Sequence, residues 1–204
     1  MKYLDFLLLF FHRIFALISD NETTCKLNMD LITYAKQCGI ELVGSGNRLY
    51  LNDLLMMLRK EKEFRNVYYW RIGKTIHRYH FSSILKFILP PLPTLSLGIP
   101  SENAGGGMFI QHGNSTIIHA KQIGEHFFVN QNVTIGDSGK GIPIIGNNVK
   151  VCTGAVVLGP ISIGNNVIIG ANATVVKDVP DNCTVIPAAS YIMKKNGIRV
   201  LQKL

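Results

Sequence analysis

The chain has 204 residues, is 47% hydrophobic with a mean hydropathy of +0.21, and carries a net charge of +8. That length and apolar content exclude a disordered chain and suit one repeat domain with one small accessory domain. The charge is +5 over residues 1–90 (13 basic less 8 acidic) and +3 over the rest (8 less 5), so there is no single basic tract. Such a balance suits a polyphosphate ligand, an anionic membrane, a nucleic acid or simply a soluble basic protein, and does not choose among them.

Met1 to Ser19 is strongly apolar, but Asp5, His12 and Arg13 interrupt the run of about 20 residues that a membrane span needs. No small-residue cleavage site follows it, as a secretory leader would require. The stretch reads as an amphipathic or buried helix docked on a neighbour, with a membrane-surface helix as the alternative. Residues 20–48 mix turn formers with one short apolar period at Leu27, Leu31 and Tyr34. Gly44-Ser45-Gly46 reads as a bend and matches no phosphate-binding pattern. Leu51 to Arg78 reads as helix, capped by Asn52 or Asp53, with Leu54, Leu55 and Leu58 on one face. The stripe Phe64, Val67, Tyr68, Arg71, Ile72 and Ile76 is better explained by core packing than by a ligand. Pro90, Pro91 and Pro93 end any helix and form a packed joint. The expected domains are a helical region 1–93, a repeat domain 94–187 and a tail 188–204.

Beyond the joint the periodicity changes. Ile145, Val151, Val157, Ile163, Ile169 and Val175 recur every sixth position, and a second row follows four behind at Val149, Ala155, Ile161, Val167, Ala173 and Val179. Gly146, Gly164 and Gly170, and the Asn-Asn pairs at 147–148 and 165–166, recur in phase. Six fits neither a helix nor alternating strands; it fits a β-helix with one inward aliphatic per side and Gly or Asn at the corners. Upstream, Ile117, Ile123, Val129 and Ile135 keep the step, with two breaks. Ile110 to Ile117 is seven and contains Gln111-His112-Gly113-Asn114. Ile135 to Ile145 is ten and contains Gly136-Asp137-Ser138-Gly139-Lys140-Gly141. Extra residues must leave the stacked coils, and loops on a rigid scaffold are where function concentrates.

Neutral imidazole at His112 can take a proton from a hydroxyl and return it, so His112 is the candidate general base; the competing reading is a corner filler. Loop 136–141 offers backbone amides and Lys140 to a phosphate or oxyanion, or is a plain bulge. His112, His119 and His126, seven apart, could instead hold zinc with an open position. Cys25, Cys38, Cys152 and Cys183 make neither a C-x-x-C nor a zinc-finger spacing, and scattered thiols point to a reducing, cytoplasmic setting, at most at the inner face of a membrane.

The segment from about Glu63 to Asn196 resembles serine acetyltransferases and, more closely, the serine-acetyltransferase-like enzymes of surface-polysaccharide gene clusters. Phe64–Gly73 (FRNVYYWRIG) is similar to their helix ending in Y-R-I-G, Gly105–His112 (GGGMFIQH) to the strand leading to their catalytic histidine, and Asn130–Gly146 (NQNVTIGDSGKGIPIIG) to their cofactor loop, shortened. The resemblance implies an α+β protein, a helical N-terminal domain followed by a left-handed parallel β-helix. It also implies a homotrimer with acetyl-CoA as co-substrate in the groove between subunits, and neither metal nor nucleic acid. It places His112 as base, Gly136, Asp137, Ser138, Gly139 and Lys140 as the loop over the cofactor, Thr153 and Ala171 along the pantetheine arm, and Gln111, Asn130 and Gln131 at the substrate pocket. Departures are visible: Gln111 replaces the aspartate before the histidine, Leu97 replaces the acid that pairs with it, Ile142 replaces a second histidine, and Ile186–Ser190 blurs the closing signature. A buried ammonium without its carboxylate is costly. The expected acceptor is therefore a sugar hydroxyl of a surface-polysaccharide precursor, with L-serine as the alternative. A non-catalytic trimeric scaffold or membrane-surface protein is the reading of another class.

Overall fold

The computed structural model describes residues 21–42, 51–76 and 81–203. The expectations for Met1–Ser19, Gly44–Gly46 and the end of the helix at Arg78 fall outside them. Among the described residues four helices, α1 (Asn21–Cys38), α2 (Leu51–Lys60), α3 (Lys62–Ile76) and α4 (Phe81–Ile88), precede thirteen short strands of a parallel solenoid and a C-terminal hairpin.

The solenoid makes five coils, each with one short stretch in each of three sheets. The first coil is β1 (Leu95–Leu97), a bridge at Ala104, and β2 (Phe109–Ile110). The second is β3 (Thr116–Ile118), β4 (Gln122–Ile123) and β5 (Phe128–Val129). The third is β6 (Thr134–Gly136), β7 (Ile144–Ile145) and β8 (Lys150–Val151). The fourth is β9 (Val156–Leu158), β10 (Ser162–Ile163) and β11 (Ile168–Ile169). The fifth is β12 (Thr174–Val175), a bridge at Val179, and β13 (Thr184–Val185). Sheet I stacks β1-β3-β6-β9-β12, sheet II β4-β7-β10, and sheet III β2-β5-β8-β11-β13. Every ladder of the solenoid is parallel, so equivalent positions of successive coils stack over one another. The row Ile145, Val151, Val157, Ile163, Ile169, Val175 is buried throughout, as is the second row. Each valine or isoleucine of these rows contributes about 1.5–3 kcal/mol by leaving water. Asn148, Asn166 and Asn182 sit at one corner with φ of 55–59°, and their amides bond down the edge, Asn148 Nδ2 to Asn166 Oδ1 at 3.1 Å and Asn166 Nδ2 to Asn182 Oδ1 at 3.0 Å. Asparagine tolerates that backbone and can also form the ladder.

Three expectations need correction. Ile117 faces outward, 49% exposed, while Ile118 is fully buried and pairs with Ile135. Inward positions therefore run Ile110, Ile118, Ile123, so the first break holds two extra residues and the following side is one short. Residues 21–38 form one helix despite their turn formers, because Leu27, Leu31, Tyr34 and Ala35 present one buried face. The long helix expected over 51–78 breaks at Glu61. Arg65 donates to the carbonyls of Leu58 (2.6 Å), Arg59 (2.8 Å) and Pro90 (2.8 Å), capping α2 from within α3.

The helices seal the open top of the solenoid. Edge strands expose unpaired amides, and here Met108 N donates to Asp30 at 2.8 Å and Ile110 N to the Tyr34 hydroxyl at 3.2 Å. Burial pushes the Tyr34 phenol well above its ordinary range, which keeps it a neutral hydroxyl. Arg71 pairs with Asp30 and donates to the carbonyls of Ser101, Ala104 and Gly105. Phe64, Val67, Tyr68, Arg71 and Ile72 are all buried, so the expected stripe is core. At the other end the chain leaves as a hairpin, β14 (Tyr191–Lys195) and β15 (Ile198–Lys203), turning at Asn196-Gly197.

Candidate active site

The corner between sheets III and I gathers most of the candidates. In the second coil three residues, 130–132, link Val129 to the inward Val133. In the first coil five residues, 111–115, link Ile110 to the buried Thr116. Ser115 (φ 51°) holds the corner position that Asn132 (58°), Gly154 (69°) and Asn172 (59°) hold below it. His112 lies in the insertion with a φ of its own at 55° and an exposed side chain. Left-handed backbone at a histidine costs on the order of 1–2 kcal/mol and persists only where its surroundings impose it. Here Asn114 N closes on His112 O, Gln111 N donates to Val129 O (2.8 Å), and Asn132 N donates to Asn114 O (2.9 Å).

Below His112 the corner is stacked in register. Asn130 Nδ2 donates to Gln111 Oε1 at 2.9 Å, Gly154 N to Gln131 O at 3.3 Å, and Asn172 N to Thr153 O at 2.9 Å. Gln131, Thr153 and Ala171 thus descend one edge beneath His112, roughly 14 Å over three rungs. Gln111, His112, Asn130, Gln131, Thr153 and Ala171 share this edge.

The glycine loop is elsewhere. Residues 136–143 leave between β6 and β7, at the corner of sheets I and II, so one chain does not bring Lys140 to His112. The loop is also internally bonded. Asp137 Oδ1 accepts Gly139 N (2.7 Å) and Gly141 N (2.9 Å), and these bonds hold its carboxyl below the usual range. Two of the amides expected to hold an anion are therefore engaged, while Ser138, Gly139 and Lys140 remain exposed. Gly136 is buried in β6, where its carbonyl accepts Gly159 N.

The three histidines occupy three different corners: His112 between sheets III and I, His119 between I and II, His126 between II and III. They cannot converge within one chain, and no group of three metal-binding side chains occurs among the described residues. Leu97 is half-buried and packs against the core. Sequence reasoning missed Glu63, half-buried on α3, whose Cγ lies 3.5 Å from where a Cβ on Gly113 would stand. Only the fold brings α3 to this corner. No described helix is long and apolar enough to cross a membrane.

Residues 142–177 match the bacterial transferase hexapeptide (six repeats). The serine acetyltransferase of Synechococcus elongatus is 39% identical over 125 residues, 57% of this chain and 51% of that protein. The serine acetyltransferase of Staphylococcus aureus is 41% identical over 106 residues, 50% of each. The chain thus spans about half the length of the curated relatives it matches. Among solved structures, Neisseria gonorrhoeae serine acetyltransferase superposes with a TM-score of 0.63 at 25% identity, covering 85% of this chain and 68% of that one. Entamoeba histolytica serine acetyltransferase 1, in complex with L-cysteine, gives 0.55 at 26% identity, covering 79% and 62%.

Proposed function

We propose that this serine acetyltransferase-like hexapeptide-repeat chain transfers an acetyl group from acetyl-CoA to a hydroxyl acceptor. The observation that carries the reading is the two-residue insertion that lifts His112, exposed, to the head of the Gln131–Thr153–Ala171 edge. In this reading a ring nitrogen of His112 takes the hydroxyl proton as the acceptor oxygen attacks the thioester carbonyl. The thiol leaves, and the imidazolium returns the proton to it. Acetyl-CoA would lie along the corner edge. Because loop 136–143 is on another edge, the reading requires a neighbouring subunit to supply it, hence a trimer of left-handed β-helices with the unit boundaries at about 93 and 187.

The relatives favour L-serine as acceptor, which would place the chain in cysteine biosynthesis; none of them supports the sugar expected from the sequence. A sugar hydroxyl stays as the second reading on one observation: at Gln111 and Leu97, where the family pattern has acids, stand an amide bonded to Asn130 and a leucine packed on the core. Thiol release from acetyl-CoA with serine, then with nucleotide sugars, separates the two. Turnover with neither acceptor, or full activity in His112→Ala, would overturn the proposal.

A further inference from the structure

We infer that Glu63 supplies the carboxylate that positions the His112 imidazole, an inference that rests on the acetyl-transfer reading. Leu97 and Gln111 stand where the family pattern has acids. Glu63 comes from a different element. Its Cγ is 3.5 Å from the Cβ position of Gly113, the residue after His112, and its carboxyl carbon is one bond further on. Ile110 Cγ2 and Leu95 Cδ2 fill other sides of the same point, at 2.8 and 3.2 Å. The backbone that carries Glu63 is fixed on its C-terminal side. Phe64 is fully buried edge-on to Tyr34, with centroids 5.1 Å apart, and Arg65 is bonded to three carbonyls. A carboxylate accepting from one ring N–H fixes the tautomer, leaving the other nitrogen's lone pair for the acceptor hydroxyl.

The test uses the full chain labelled with 15N-histidine and the variants Glu63→Gln and Glu63→Asp. Ring 15N shifts of His112 should report one dominant tautomer in the wild type and a mixture in Glu63→Gln. In the same variant kcat should fall about ten- to a hundredfold with KM within about twofold, and Glu63→Asp should recover part of the loss. An unchanged tautomer, or a rise in KM alone, would overturn the assignment. If no acceptor is turned over at all, the acetyl-transfer reading fails while the ring shifts still decide the role of Glu63.

A second inference stands on the hairpin: the geometry points to an anionic phospholipid surface as the partner of β14–β15. Residues 188–204 carry Lys194, Lys195, Arg199 and Lys203 and no acid, whereas residues 94–187 carry four cations against five acids. Tyr191, Met193 and Lys195 alternate onto one face of β14, and their partners Lys203 and Ile198 lie on that same face, whereas Lys194 and Arg199 face the other way. Tyr191 pairs with Lys203 across the ribbon, and Ile198 with Lys195. Tyr191, Met193, Ile198 and Leu201 are 49–73% exposed. An isolated two-stranded hairpin is marginal in water, and cations interleaved with apolar side chains match a charged lipid interface. A second copy fits worse, because it brings a net charge of +8 toward these cations.

Sedimentation of the full chain with phosphatidylcholine vesicles containing about one third phosphatidylglycerol tests this. Binding should fall at least about tenfold in Lys195→Glu/Lys203→Glu, since each cation near such a surface is worth about fivefold. It should be weak on phosphatidylcholine alone. Equal binding of the double variant, equal binding to neutral vesicles, retention on DNA without vesicle binding, or a change of oligomeric state in the variant would each overturn it. Far-ultraviolet melts confirm that the variant is folded.

Discussion

Arg71 Nε donates to Asp30 Oδ2 at 2.9 Å with both side chains essentially removed from solvent, so a single ion pair joins α3 to α1. It does so at the point where the solenoid begins, since Asp30 also takes the Met108 amide and Arg71 the carbonyls of Ser101 and Ala104. Burial raises the Asp30 carboxyl, against the opposing pull of Arg71. Removing one partner leaves an uncompensated buried charge, so Asp30→Ala or Arg71→Ala should each cost about 3–5 kcal/mol. The double variant should cost less than their sum. Denaturant melts of the four proteins check both statements.

The register of the second coil gives a paired prediction. Ile118→Ala should cost about 2–5 kcal/mol because it opens a cavity between stacked coils. Ile117→Ala, on the outer face, should change the stability of the single chain by at most about 0.5 kcal/mol. Any larger effect of Ile117 should depend on protein concentration, as burial against another subunit would make it. Melts at two concentrations distinguish the two origins.

Much of this was legible in the sequence. The six-residue rhythm fixed the solenoid from Ile145 onward because inward aliphatics and corner asparagines repeat on the same beat. It misled at Ile117 because two adjacent isoleucines offer the same chemistry, and only pairing with Thr134 and Ile135 decides which faces in. The helix over residues 21–38 was obscured because Asn28 and Asp30 read locally as turn formers, whereas both are buried in the fold. His112 stood out because it falls in a break of the beat, whereas Gln131, Thr153 and Ala171 came from a resemblance; the stacking of coils explains why they share an edge. Glu63 had no signal, since nothing local marks a side chain that the fold brings beside Gly113 from fifty residues away in sequence.

Loop 136–143 should respond to acid through Asp137. The amides of Gly141 and Gly139 hold its carboxyl below the ordinary value of 3.8, with His119 adding to the effect and desolvation opposing it. A depressed carboxyl contributes stability that is complete above the ordinary value and is lost as pH falls through the folded one. The amide shifts of Gly139 and Gly141 should therefore titrate together below pH 3.8. In Asp137→Asn, where the acceptor oxygen remains but does not titrate, that transition should vanish.

Gly113 links stability to the proposed chemistry. A Cβ there would meet Ile110 Cγ2 at 2.8 Å and Leu95 Cδ2 at 3.2 Å, inside ordinary contact, with Glu63 on a further side. Gly113→Ala must displace either the core side chains or the inserted corner. Overpacking of this kind costs about 1–3 kcal/mol. The corner is the softer of the two, because its insertion makes few backbone bonds to the coil below, whereas Ile110 sits within the stacked sheet. The expected result is a modest loss of stability together with a fall in kcat of about tenfold or more, since a misplacement of an ångström costs a general base much of its effect. Thermal melts and thiol-release kinetics on the same preparation measure the two. A variant that lost several kcal/mol and kept its kcat would mean that the core yields and the corner holds, which would place the His112 ring on a far more rigid footing than the two-residue insertion suggests.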